Sequence, residues 1–186
     1  MASVDEAWSI KKVPYLQMRL DGPKQWTRRV DLPLTNEKYL KSFLFSKSDA
    51  FGSDHPLFRW ERTIESSQIS NQLNQSQKLS SSFYPKKIEV LRRGSSGRVT
   101  SLKIEGRTGS EILLKLDDIR RVLRKLPSTL FVVKEIKEGK WLFSGGGFGH
   151  GAGMSQSGAI ELAKNGWTTK QILSHYYPKT KYGFLP

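Results

Sequence analysis

With 186 residues, 37% hydrophobic and 11% aromatic, the chain is sized and composed for one folded domain. Its apolar runs fall far short of the ~20 residues that span a bilayer, and its opening, MASVDEAWSIKK, lacks the charged-then-apolar pattern of an export signal, so as written it reads as soluble. The absence of cysteine excludes disulfides, thiol nucleophiles and cysteine-ligated zinc. A net charge of +14, from 31 Lys and Arg against 17 Asp and Glu, leaves nucleic acid, an anionic membrane face and the anionic cell-wall matrix as partner classes, with a solvated basic surface as the plain alternative.

Residues 1–50 are irregular and punctuated by proline, with a scatter of aromatics. Within them LTNEKYLKSFLF (34–45) predicts a short helix capped by Thr35 and buried through Leu40, Phe43 and Leu44; Lys38 in place of an acid leaves the capping box incomplete. SKSDAFGSDHP is a loop by composition, and FRWERTI (58–64) alternates as a strand does. SSQISNQLNQSQKLSSS predicts at best a short amphipathic helix that fades into a polar linker.

From residue 86 the pattern sharpens. KKIEVLRR and RVTSLKIEG, separated by Gly94-Ser95-Ser96-Gly97, predict a hairpin, and EILLKL a third strand. LDDIRRVLRKL predicts a helix with Ile119, Val122, Leu123 and Leu126 on one face and Pro127 as its stop. STLFVVKEIKEGKWLFSG is a second hairpin turning at Glu138-Gly139. The expected fold class is α+β, a single domain of antiparallel strands and hairpins with a few short helices, less regular over 1–85 and with its core in 86–186.

The most informative stretch is SGGGFGHGAGMSQSGAIELAKNG (144–166), where six glycines between Gly145 and Gly153 separate a strand from a helix. Ala159, Leu162 and Ala163 mark that helix's expected buried stripe and Asn165-Gly166 its end. Glycine here lets backbone approach a ligand and leaves amide groups free at a helix start. A phosphate loop is excluded because Met154-Ser155 stands where Lys and Ser or Thr are needed, and a dinucleotide fingerprint because no parallel βαβ unit follows. His150 is either a turn histidine satisfied by backbone or a polar group presented into a cleft beside Ser155 and Gln156. No neighbouring carboxylate supports a Ser–His nucleophilic pair. A last helix starts at Thr168, turns Ile172 and Leu173 inward and ends before Pro178; Tyr176 and Tyr177 are either core aromatics or platforms for a sugar ring.

GFGHGAGMSQSGAIELAKNGWTTKQILSHYYPKT (147–180) resembles the C-terminal signature of the stage II sporulation protein D / amidase-enhancer family, in which Gly-aromatic-Gly-His-Gly, Met-Ser-Gln, Gly-Ala and Tyr-Tyr-Pro follow in this order. VPYLQMR (13–19) and PLFRWER (56–62) are similar to weaker upstream blocks. The resemblance implies action on peptidoglycan, either as a lytic transglycosylase or as a stimulator of a cell-wall amidase, without metal or organic cofactor and in an extracytoplasmic setting (periplasm or cell envelope). It implies glycan contact by Gly149, His150, Gly151, Gly153, Ser155 and Gln156. The family's proposed catalytic glutamate lies in a block of the type Tyr-Leu-x-Gly-Val-Val-x-x-Glu-Met-Pro, which is absent here; Glu37 is only an echo of it, and none of the ten glutamates sits in the glycine turn. The missing block and the missing export signal both belong at an N-terminus, so the expectation is a C-terminal portion of a longer protein. The expected partners are peptidoglycan strands and a cell-wall amidase, with nucleic acid supported by charge alone.

Overall fold

The computed structural model describes residues 1–8, 11, 13–46, 48–77, 83–124 and 126–183. The expected linker over 78–82 lies outside them. Two single-turn helices, α1 (Val4–Ala7) and α2 (Lys24–Thr27), are followed by α3 (Glu37–Phe45), β1 (Arg59–Glu65) and α4 (Ser66–Gln77). Then come β2 (Pro85–Arg93), β3 (Val99–Gly106), β4 (Glu111–Lys115), α5 (Asp118–Val122), β5 (Phe131–Lys137), β6 (Lys140–Gly146), α6 (Gln156–Lys164) and α7 (Thr169–Tyr176). The strands form two antiparallel three-stranded sheets, ordered β1-β6-β5 and β2-β3-β4. This is the expected α+β single domain.

Both hairpins read from the sequence turn where glycine permits positive φ, Gly97 at +82° after β2 and Gly139 at +68° after β5, and a third, β3–β4, turns at Gly109 with φ +81°. Period-two alternation along β3 buries Leu102 and Ile104, and Val99, out of that phase beyond the register shifts around Arg92, is buried with them. They meet Trp60 and Ile64 of β1, Phe131 of β5, and Trp141 and Phe143 of β6 in one core, so the two sheets share their apolar interior. Helix α4 is longer than its polar sequence suggests, because Ile69 and Leu73, one turn apart, are fully buried in that core. The main core therefore reaches back to Trp60, and β1 and α4 complete a core expected to lie in 86–186.

Three local expectations are corrected. The cap of α3 is Asn36, whose side chain accepts from Lys38 N at 2.8 Å, one residue after Thr35. Helix α5 covers only Asp118–Val122, although Ile119, Val122, Leu123 and Leu126 are all buried. The chain leaves the helix at Leu123, whose ψ of 68° is not helical, and further on the Pro127 carbonyl accepts from Gly149 N at 2.9 Å. On α6 the buried positions are Gly158 and Leu162, with Ala159 half-buried and Ala163 exposed. A side chain at 158 would collide with the Tyr176 hydroxyl and Asp21, so closest approach falls on the glycine.

β6 feeds directly into the glycine-rich loop, and its last residues are clamped. A side chain at Gly145 would strike the Leu130 carbonyl and the Trp60 ring. Trp60 Nε1 donates to Gly147 O at 3.0 Å, and Ser128 Oγ to Gly146 O at 2.7 Å. Beyond it, short parallel bridges tie Gly149 to Ser128 and Ala152 to Ala2.

Candidate functional site

The loop from Gly146 to Ser157 forms one wall of a cleft of about 540 Å³. Gly147, Gly149, Gly151 and Gly153 have φ of +74°, +79°, +78° and +86°, so every second residue takes a backbone conformation that only glycine adopts cheaply. The residues between them, Phe148, His150 and Ala152, also line the cleft. Phe148 is 67% exposed at its rim.

His150 is half-buried against the Trp8 ring, with centroids 4.3 Å apart. Its Nδ1 accepts from Ala152 N at 3.1 Å, which assigns the proton of the neutral ring to Nε2. Burial holds its pKa below the ordinary value, helped by Arg98 and Arg120, while Asp117 opposes them. His150 thus satisfies a backbone group and lines the cleft at once.

Ser155 caps α6, accepting from Gly158 N at 3.2 Å, and Gln156 follows it, exposed at the first helical position. Both line the cleft with His150. Gly149 is open, with nothing near the place of an added Cβ, whereas Gly151 lies directly on the Arg98 guanidinium. Gly153 faces the Tyr177 hydroxyl, 3.6 Å from where a Cβ would stand. Tyr176 is 1% exposed and donates to Asp21 Oδ2 at 3.1 Å, so it belongs to the core and has no ring face to offer a sugar. Burial, then the Asp21 carboxylate, push its pKa above the usual range. Tyr177 is half-buried.

Sequence reasoning missed the groups that anchor this wall from a distance. Asp21 accepts from Tyr176 and lies 2.8 Å from His175 Nε2, with Phe51 and Trp167 edge-on to the imidazole. Arg98, 6% exposed, reaches under the loop and donates from Nη1 to Gly149 O at 3.4 Å; burial lowers its pKa to about 10. Glu6, also buried, accepts from Ser95 Oγ at 2.6 Å and from Ser96, binding α1 to the first hairpin turn. Arg59 stacks over Phe58 at 4.1 Å and donates to the carbonyls of Phe43 and Leu44. These partners lie far apart in sequence; the only local sign was a serine-glycine turn beside Arg98. Among the described residues no three metal-ligating side chains cluster, and no helix is long and apolar enough to cross a membrane.

Most of the glycine wall, with Glu6, Asp21 and Arg98, falls within the span of a family model. The chain belongs to the family described as Domain of unknown function (DUF8618), whose model matches residues 2–153. The DUF8618 match takes in Glu6, Asp21, Arg98 and the loop through Gly153; α6 and α7 follow it. Over 101 residues the chain is 35% identical to the amidase enhancer of Bacillus subtilis (strain 168), covering 47% of this chain and 14% of that relative. It is 37% identical over 84 residues to an uncharacterized protein of Brachyspira hyodysenteriae, covering 44% of this chain and 21% of that one. The DUF8618 chain therefore spans only a small part of the length of these curated relatives. One of them carries the amidase-enhancer name that the C-terminal block led us to expect.

Proposed function

We propose that this chain is a non-catalytic module of amidase-enhancer type, which holds peptidoglycan glycan in its cleft and presents the wall to a cell-wall amidase. The observation that carries it is the chemistry of the cleft. Its lining combines an exposed aromatic ring, a neutral histidine and helix-start polar groups, while the one carboxylate lining it among the described residues, Asp21, is engaged by His175 and Tyr176. Cleavage of a glycosidic bond calls for a carboxylic acid facing the leaving oxygen. The groups assembled here suit holding a polar ligand rather than protonating one. The name of the Bacillus subtilis relative supports the amidase partner. The setting is extracytoplasmic, in the cell envelope, and Gly149, His150, Gly151, Gly153, Ser155 and Gln156 are the glycan-facing residues. If a longer protein supplies a catalytic acid, this cleft becomes the substrate wall of a lytic transglycosylase.

The test mixes the purified chain with peptidoglycan sacculi, with and without a cell-wall amidase. The chain should sediment with sacculi, less so as His150→Ala, and should speed peptide release by the amidase without itself releasing anhydro-muropeptides. Failure to sediment together with an unchanged amidase rate refutes the proposal, and anhydro-muropeptides released by the chain alone refute its non-catalytic character.

A further inference from the structure

Among the described residues three arginines line the cleft, Arg59, Arg98 and Arg120, against the single carboxylate of Asp21. Two of them are committed. Arg59 gives its donors to the carbonyls of Phe43, Leu44 and Phe58. Arg120 forms a two-point pair with Asp117 at 2.9 and 3.2 Å. Arg98 is different. It is more than nine-tenths buried and carries five donors, yet among the described residues its hydrogen bonding is one long contact to Gly149 O. Its nearest acid, Glu6, has its oxygens taken by Ser95 and Ser96 and makes no ion pair with it among the described residues. Its remaining donors have no protein partner among the described residues and are not sealed off from the cleft that Arg98 lines, and an arginine's fork fits a carboxylate best.

The surroundings say what that carboxylate hangs on. Arg98 lies against the backbone of Gly151, between His150 and Ala152, which are cleft-lining residues themselves. Phe148, on the same wall, offers an exposed ring face, the usual support for a sugar. We infer that Arg98, with His150 Nε2–H as a further donor and Arg120 adding only its nearby charge, forms a subsite that takes the carboxylate of an acidic sugar residue stacked near Phe148. This rests on the glycan reading above and adds to it the charge of the bound residue. In wall glycan the carboxylate has two sources: the lactyl group of N-acetylmuramic acid once its peptide is removed, and the end of an attached stem peptide. Among the described residues neither Asp117 nor Glu6 lines the cleft.

The test measures affinity by calorimetry for oligosaccharides of equal length. One contains N-acetylmuramic acid with free lactyl groups, one the same sugar bearing stem peptides, and one only N-acetylglucosamine. The carboxylated strands should bind roughly tenfold or more tightly than the uncharged one. That preference should shrink in Arg98→Gln and Arg120→Gln and in high salt. Arg120→Gln is the safeguard if Arg98→Gln does not fold. Preference for the free lactyl strand names the lactyl group as the source, and preference for the peptide-bearing strand names the stem. Equal affinity for charged and uncharged strands overturns the anion subsite while leaving the glycan reading standing. Absence of binding to all three strands sinks both. Single-stranded DNA that binds and is weakened by the same substitutions would also overturn the sugar assignment.

Discussion

Gly149 and Gly151 form a natural pair for testing how the loop is held, because they share a backbone conformation and differ in surroundings. Both have φ near +80°, so alanine at either place should cost about 1–2 kcal/mol in backbone strain. At Gly149 that is the whole effect, since a Cβ there meets nothing within 4 Å and its N–H bond to Pro127 O is kept. At Gly151 the new methyl runs into the guanidinium end of the Arg98 side chain, which has to shift to admit it. Forcing an extra methyl into a packed site adds about 1–3 kcal/mol. Gly151→Ala should therefore destabilise by roughly 2–5 kcal/mol, against about 1–2 kcal/mol for Gly149→Ala. Urea unfolding of both variants, with matched m values, reads the difference directly. Equal losses would refute the placement of Arg98 beneath the loop, and a near-zero loss for Gly149→Ala would refute the left-handed backbone.

Leu73→Ala should cost about 2–5 kcal/mol, since it opens a cavity in the shared core against a fully buried side chain; a loss under half a kilocalorie on chemical denaturation would detach α4 from that core. Tyr176→Phe removes a bond to a carboxylate and should cost about 1.5–3 kcal/mol by thermal unfolding, unless the hydroxyl is not the tie between α7 and Asp21. His150 has a folded pKa below its ordinary 6.5, so between the two values the unfolded chain binds more protons and stability falls as pH falls. His150→Gln should flatten the slope of stability below that pH, measured by urea titration at several pH values; identical slopes would show that the imidazole is not held neutral.

Periodicity in the sequence accounts for much of the fold. Alternation located β1 and β3, glycine turns located both hairpins, and Thr168 with Gln171 forms the capping box that begins α7. The glycine run between β6 and α6 showed that backbone, rather than side chains, shapes one wall of a cleft. These features are local: they depend on φ preferences and on residues within one turn or one pleat of each other. Where local preference met packing, packing won, as at Gly158, which lies closest to Tyr176 although composition favoured Ala163.

What lies behind that wall was decided only by tertiary structure. Asp21 joins His175 and Tyr176 across more than 150 residues, Glu6 meets Ser95 and Ser96 across about 90, and Arg98 reaches the loop from 51 residues away. No spacing rule connects such positions, and each of these side chains reads in isolation as an ordinary surface charge. They become buried, and acquire their chemistry, only when the shared core of the two sheets brings the hairpin turn, α1 and α7 against the glycine loop.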